Sequence, residues 1–118
     1  MNKKEFGKIG ESVACKYLKK KNYEIIDTNF FFRGGEIDII AFDTEKNELV
    51  FFEIKSRANK KYGLPSEAVN STKIDHIIKG IKTYCMLKKP IYEFIRIDVL
   101  EMFYKDGKFY INHIKQVV

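Results

Sequence analysis

The sequence has little of what several protein classes require. Its 118 residues include no tryptophan, two prolines and two cysteines. Cys15 and Cys85 lie in unrelated segments and form no disulfide scaffold, and with His76 and His113 they show neither zinc-ligand spacing nor a nucleophile beside its base. No apolar run approaches the roughly 20 residues of a membrane span, and no apolar signal segment follows the start. These absences predict a reduced, cytoplasmic protein without membrane contact.

The residues that are present suffice for one folded domain over residues 1–118. With 45% hydrophobic residues the chain can bury a core, but it is too short for two domains of ordinary size. Its 22 Lys and Arg against 16 Asp and Glu give a formal net charge of +6, which favours an anionic partner such as nucleic acid. Charges that only solvate the surface would give the same balance.

The spacing of apolar residues predicts an α/β fold of order αβββαββ, in which helices flank a mixed sheet. The helices are expected over residues 3–20 and from about residue 66 to just before Pro90. The strands are expected over residues 23–32 with a bend, 36–42, 48–55, 91–103 and 108–114. The 91–103 strand alternates in a way that predicts one face more buried than the other.

Carboxylates meet on the predicted hairpin of the second and third strands. If its turn is centred between residues 45 and 46, Asp38 faces Glu53 and Glu36 faces Lys55. Directly opposed residues have Cβ atoms about 4.5–5.5 Å apart, so Asp38 and Glu53 could share one hard divalent cation. The alternative is a solvated face on which Lys55 neutralises Glu36. That face continues with apolar residues, which places the acids at the edge of a core: Ile40, Phe42, Leu49 and Phe51.

Glu11 and several cations lie where they could join this cluster. Glu11 falls beside Ala14 and Leu18 at the margin of the apolar stripe of the first helix, although spacing alone favours a surface acid there. Basic residues after the third strand could flank the acids and contact phosphates, or only solvate the surface: Arg57, Lys60, Lys61 and Lys73. Aromatic residues 30–32 and Tyr62 could stack on bases, but such a strand is more typical of a core.

The motif Glu53-Ile54-Lys55, with Glu36-Ile37-Asp38 on the preceding strand and Gly10-Glu11 on the first helix, resembles the active-site pattern of the PD-(D/E)xK, or restriction-endonuclease-like, nucleases. Ile37 stands where the name of the motif has proline. Over nearly its whole length the chain resembles the YraN-like family of small predicted nucleases. The further residues that carry this resemblance are Asn29, Arg33, Gly35, Arg57, Gly63-x-Pro65-x-Glu67, Lys73 and Arg96-Ile97-Asp98.

The resemblance implies a restriction-endonuclease-like core and a Mg²⁺- or Mn²⁺-dependent endonuclease that acts on structured or branched DNA rather than RNA. It makes Asp38 and Glu53 metal ligands and Lys55 the catalytic lysine. Glu11 would complete the metal site, as the first-helix acid does in the similar archaeal Holliday-junction resolvases. Glu36 would support the ligand side chains without contacting the metal itself. The residues expected to contact substrate are Arg33, Arg57 and Lys73.

Two other functions fit the same residues. The first is a nucleic-acid-binding module on this fold that retains the cluster but does not turn over substrate. The second is an interaction protein, such as a homodimer formed through an exposed sheet edge, for which the net charge is incidental. Metal-dependent cleavage distinguishes the first from a nuclease, and salt-sensitive DNA binding argues against the second.

Overall fold

A computed structural model describes residues 2–57 and 71–118 and contains two helices and five strands. The elements are α1 (Lys3–Lys20), β1 (Tyr23–Phe32), β2 (Gly35–Asp43), β3 (Glu48–Arg57), α2 (Ser71–Lys88), β4 (Phe94–Lys105) and β5 (Lys108–Ile114). Their order confirms the predicted αβββαββ arrangement. The predicted start of α2 near residue 66 lies outside the described residues, and its end before Pro90 is confirmed.

The first helix begins and ends at residues suited to those places. The Asn2 side chain accepts a hydrogen bond from the Glu5 backbone N–H at 2.8 Å, which satisfies a donor that the helix start leaves unpaired. Ala14 and Leu18, one turn apart, are fully buried against the sheet. After the last turn, Asn22 adopts a left-handed conformation with a φ of 68°, and the chain turns into β1.

The five strands form one mixed sheet in the order β1-β2-β3-β4-β5. β3 and β4 are parallel and connected through α2, and the other neighbours are antiparallel. In the β2–β3 hairpin Ile39 pairs with Phe52 and Asp43 with Glu48, which confirms the predicted register. A register shift between Ile25 and Asp27 produces the predicted bend in β1.

The helices cover opposite faces of the sheet. α1 packs Ala14 and Leu18 on a cluster that includes Ile39, Phe52 and Leu100. α2 packs on a second cluster, which consists of Ile37, Ile40, Leu49, Phe51, Ile77, Ile81, Tyr84 and Ile97. Neither helix has a stretch apolar enough to cross a membrane, as far as the described residues go.

The prediction that β4 has one face more buried than the other is wrong. All residues from Arg96 to Met102 are buried, on both faces of the strand. β4 lies between β3 and β5, with Ile97 in the cluster under α2 and Leu100 in the cluster under α1. A strand covered on both faces loses the alternation of burial that a half-exposed strand shows. The strand also begins at Phe94, three residues after the predicted start at Ile91.

Candidate active site

The last backbone pair of the β2–β3 ladder is Ile39 with Phe52. Asp38 and Glu53 are the next residues beyond that pair, one on each strand. The alternation of faces is broken at this point of β2, because Ile37 packs under α2 whereas Ile39 packs under α1. Asp38 Oδ2 accepts a hydrogen bond of 2.7 Å from the Ile54 N–H, a donor that a continued ladder would give to a backbone carbonyl. The carboxylate is therefore held in a fixed position between the two strands.

The electrostatic environment disfavours charge on Asp38. Burial, and next the nearby Glu53 carboxylate, raise the pKa of Asp38 to about 7, although the Ile54 N–H acts in the opposite direction. The pKa of Glu36 is also raised, first by burial and then by the charges of Glu11 and Glu53. A cation among these carboxylates would relieve the repulsion between them.

Two lysines compensate the charge of Glu53. The Glu53 side chain is only 7% exposed, and its Oε1 lies 3.1 Å from Lys73 Nζ and 3.4 Å from Lys55 Nζ. Lys73 reaches Glu53 from the first turn of α2, whereas Lys55 is two residues further along β3. The alternative in which Lys55 neutralises Glu36 is wrong, because the ion pair of Lys55 among the described residues is with Glu53.

Glu11 reaches the edge of the sheet. Its Oε1 accepts a hydrogen bond of 2.8 Å from Asn29 Nδ2, and the side chain is half-buried. Asn29 lies on β1 in a left-handed conformation with a φ of 52°. The charge of Glu11 also contributes to the raised pKa of Glu36. Glu11 is thus part of the acidic group rather than a solvated surface acid.

The predicted metal site of three carboxylates, Asp38, Glu53 and Glu11, is not assembled in the described part of the structure. Within residues 2–57 and 71–118, no three Asp, Glu, His or Cys side chains stand close enough together to enclose a metal ion unaided. A cation held here by two carboxylates would therefore keep water among its ligands, as Mg²⁺ commonly does.

The remaining predicted site residues are placed as follows. Arg33 is exposed in the turn between β1 and β2, and no contact in the described part of the chain joins it to the acids. Arg57 is the last residue of β3, and its side chain is not among those described; Lys60, Lys61 and Tyr62 lie outside the described residues. In the aromatic run of β1, Phe30 and Phe32 pack against the core and Phe31 is 71% exposed.

Sequence reasoning missed a buried polar network at the other end of the sheet. Arg96 Nη1 donates to Glu48 Oε1 at 2.8 Å and to Asp43 Oδ2 at 3.1 Å, and its Nε donates to Asp98 Oδ1 at 2.8 Å. His113 Nε2 lies 2.7 Å from Asp98 Oδ2. Burial alone would raise the pKa of Asp98, but hydrogen bonds from His113 and Arg96 hold it below its ordinary value. The available signal was the spacing of Arg96 and Asp98, which puts two opposite charges on one face of an apolar strand.

Comparisons with known proteins identify a family for the whole chain. The model of the uncharacterised protein family UPF0102 matches residues 10–102. A UPF0102 protein of Carboxydothermus hydrogenoformans is 40% identical over 118 residues, which are 100% of this chain and 98% of that relative. UPF0102 proteins of Clostridium botulinum and Clostridium beijerinckii are 42% and 44% identical over 115 residues, 95% of this chain and 92% and 91% of those relatives. The matches confirm the resemblance to the YraN-like family.

Proposed function

The chain belongs to the UPF0102 family, and from the side chains gathered at its acidic site we propose that it is a Mg²⁺- or Mn²⁺-dependent DNA endonuclease. The observation that carries this proposal is the half-buried Asp38 carboxyl, with its pKa raised to about 7, beside a Glu53 carboxylate that two lysines contact. A site that places acids and lysines together in this way suits the hydrolysis of a phosphodiester. The substrate is structured or branched DNA.

The donor set at the site fits a hard divalent cation. Asp38 and Glu53 offer only carboxylate oxygens, which suit Mg²⁺ and Mn²⁺ better than softer metals. Burial and mutual repulsion make the charge on Asp38 unfavourable by itself, so a cation would be favoured there. When bound, it would polarise the scissile phosphate and lower the pKa of a bound water.

The protein's own groups prepare the site for this chemistry. The Ile54 N–H orients Asp38, and the Asn29 amide orients Glu11. The Lys55 ammonium, half-buried beside Glu53, is suited to donate to a phosphate oxygen and to stabilise charge that develops on it. Lys73 contacts Glu53 from the start of α2, where it can also contact a neighbouring phosphate.

One observation favours a second candidate, a nucleic-acid-binding module without catalytic turnover. Because Lys55 and Lys73 both contact Glu53, that carboxylate is already compensated without a metal ion. A protein that uses this arrangement only to bind DNA would bind in the presence of EDTA and would not cleave when Mg²⁺ or Mn²⁺ is added.

The test combines metal binding with cleavage. Calorimetry with Mn²⁺ is carried out on the wild type, Asp38→Asn, Glu53→Gln and the matched control Glu24→Gln, whose side chain is exposed on β1. We expect Asp38→Asn and Glu53→Gln to abolish Mn²⁺ binding, because each removes a charge from a site with few ligands, and the control to bind normally. Unchanged affinity in both site variants would remove the proposed metal site.

Cleavage is then measured on labelled linear, flap and four-way-junction DNA with Mg²⁺, Mn²⁺ or EDTA. We expect metal-dependent cleavage by the wild type and by Glu24→Gln, with a preference for the flap or the junction. Metal binding together with intact DNA on every substrate would favour the non-catalytic module instead.

A further inference from the structure

A cleft of about 280 Å³ lies at the end of the sheet away from the acidic site. Its walls come from the end of α1, the start of β1, the β2–β3 turn and the segment after β5. Asp43, which lines it, is five residues along β2 from Asp38, a distance of about 16 Å at 3.3 Å per residue. Its volume is close to the lower limit of small-molecule sites, roughly 300 Å³.

The acidic side chains of this cleft already have partners. Asp43 Oδ2 accepts from Arg96 Nη1 at 3.1 Å, and Asp43 Oδ1 accepts from the backbone N–H groups of Glu45 and Lys46. Glu45 Oε1 accepts from Asn22 Nδ2 at 2.8 Å. The negative charge of the cleft is therefore largely committed to contacts within the protein.

The lysines of the cleft have no such partners. Lys20, Lys21, Lys46 and Lys115 line it, all four are exposed, and none has an ion pair with any residue in the described ranges. Lys20 follows the general preference for cations at the end of a helix. The preference of helix ends for cations does not apply to Lys46 and Lys115, because they come from a β-turn and from the segment after β5. Four lysines from three parts of the chain thus line the cleft, and none of them forms an ion pair with its carboxylates.

One lining residue of the cleft, Tyr23, carries a buried donor. Tyr23 is only 5% exposed, and its hydroxyl oxygen accepts from Arg96 Nη2, which leaves the hydroxyl proton without an acceptor among the described residues. Burial raises the pKa of Tyr23 to about 12, so the proton stays on the hydroxyl at neutral pH. A buried donor of this kind is expected to find an acceptor in a ligand or in water.

We propose that this cleft binds a phosphate group, held by Lys20, Lys21, Lys46 and Lys115 and hydrogen-bonded by the Tyr23 hydroxyl. Several ammonium groups and a neutral donor around a small polar cleft are the complement of a phosphate oxyanion. The phosphate belongs either to a nucleic-acid backbone or to a free phosphate compound such as a nucleotide. The inference does not depend on the proposed nuclease activity, because the cleft shares no residue with the acidic site.

The protein is titrated with inorganic pyrophosphate in EDTA, and binding is measured by calorimetry and by the amide signals of residues 20–23 in NMR spectra. We expect Lys46→Gln and Lys115→Gln each to weaken binding about tenfold, the loss of one charge-assisted contact. Both side chains are exposed, so the variants should fold normally. The matched control Lys82→Gln, exposed on α2, should bind like the wild type.

A second arm identifies the source of the phosphate. The same proteins are titrated with adenosine diphosphate and with a single-stranded DNA octamer in EDTA. Tighter binding of the octamer, weakened by Lys46→Gln, indicates a nucleic-acid backbone, whereas tighter binding of the nucleotide indicates a free phosphate compound. The proposal is overturned if pyrophosphate does not bind, or if the two cleft variants and Lys82→Gln bind it equally. If the wild type binds pyrophosphate but cleaves no DNA with Mg²⁺ or Mn²⁺, the result counts against the proposed nuclease activity and not against the phosphate site in the cleft.

Discussion

A single carboxyl group, Asp38, combines the features that define the acidic site. It lies between two strands and accepts the Ile54 N–H, and burial, followed by the charge of the nearby Glu53, raises its pKa to about 7 from an ordinary value of 3.8. Between these two values the folded protein holds a proton that the unfolded chain has released. Stability therefore falls as pH rises from about 4 to 7, and above 7 the full cost of the Asp38 charge is present.

This difference makes a prediction for Asp38→Asn in metal-free buffer. Asparagine keeps the oxygen that accepts from Ile54 but carries no charge, so the variant should gain stability over the wild type as pH rises from 4 to 7 and then hold that gain. The gain should be a few kcal/mol at most, since each pKa unit corresponds to about 1.4 kcal/mol. Urea unfolding in EDTA between pH 4 and pH 8 measures it. A difference that does not change with pH would mean that Asp38 titrates normally.

Lys55 distinguishes a nuclease from a metal-binding scaffold. Lys55→Met keeps most of the aliphatic stem and removes the ammonium, while Lys73 still contacts Glu53. We expect Mn²⁺ to bind and single-turnover cleavage to fall by roughly 10²–10³, by analogy with the loss of one preorganised donor. The control Lys82→Met should cleave normally. Cleavage at the wild-type rate by a folded Lys55→Met protein would remove the catalytic assignment and point to a contaminating nuclease.

At the residue scale the sequence predicted positions along the strands better than contacts across elements. The register of the β2–β3 hairpin from Ile39 to Asp43 followed from the turn and the period of two, because a hairpin of known turn has one register. The predicted ion pair of Lys55 with Glu36 was wrong, and Lys55 contacts Glu53 instead. The partner depends on how the two strands continue beyond the last pair of the ladder, Ile39 with Phe52. The network around Arg96 was missed because it joins Arg96 to Tyr23, Asp43 and Glu48, which come from distant parts of the chain.

At the scale of elements, the packing of α2 on the sheet depends on the absence of a side chain at Gly80. A Cβ at this position would lie 2.5 Å from Phe32 Cε1 and 2.8 Å from Ile37 Cδ1. Ile37 is buried in the core under α2 and Phe32 is partly buried against it, and Ile37 precedes the metal-ligand candidate Asp38. The close approach of the helix therefore also fixes the strand that carries the site.

Gly80→Ala should accordingly destabilise the protein by about 1–3 kcal/mol, the usual cost of inserting a methyl group into a packed core, even though alanine favours a helix. Gly7→Ala is the matched control, because a Cβ at Gly7 would meet nothing within 4 Å in α1. The control should gain roughly 0.5–1 kcal/mol from helix propensity. Urea denaturation of both variants measures the two changes, and equal stability of the two would contradict the close packing of α2.

The elements themselves were predicted nearly completely. α1 and β5 have the expected bounds because an amphipathic stripe and a turn at Asp106 and Gly107 leave little choice. β4 was less predictable, since burial on both faces removes the alternation that marks a strand and its exposed face. Which helix covers which face of the sheet requires the three-dimensional path of the chain and was not readable from local pattern.

At the scale of the whole molecule, cations lie at both ends of the β2–β3 pair. Lys55 and Lys73 contact Glu53 where the two strands separate, and exposed lysines without an ion pair in the described ranges line the cleft at the opposite end. The formal net charge of +6 gives the protein an overall attraction for polyanions. A DNA strand that follows the sheet could therefore contact both regions without requiring any sequence-specific contact to its bases.

DNA binding without metal should consequently be independent of sequence and fall steeply with salt. If Arg57, Lys73 and neighbouring cations neutralise about four phosphates, the logarithm of the binding constant should fall against the logarithm of salt concentration with a slope near −3.6 on duplex DNA. Fluorescence anisotropy of two unrelated duplexes in EDTA, over a series of KCl concentrations, measures both properties. Lys46→Gln should make the slope shallower by about 0.9 if the lysine-lined cleft holds a backbone phosphate, and leave it unchanged if the cleft serves a free phosphate compound. A wild-type slope near zero, or no binding at low salt, would contradict a nucleic-acid partner and favour an interaction protein whose charge only solvates its surface.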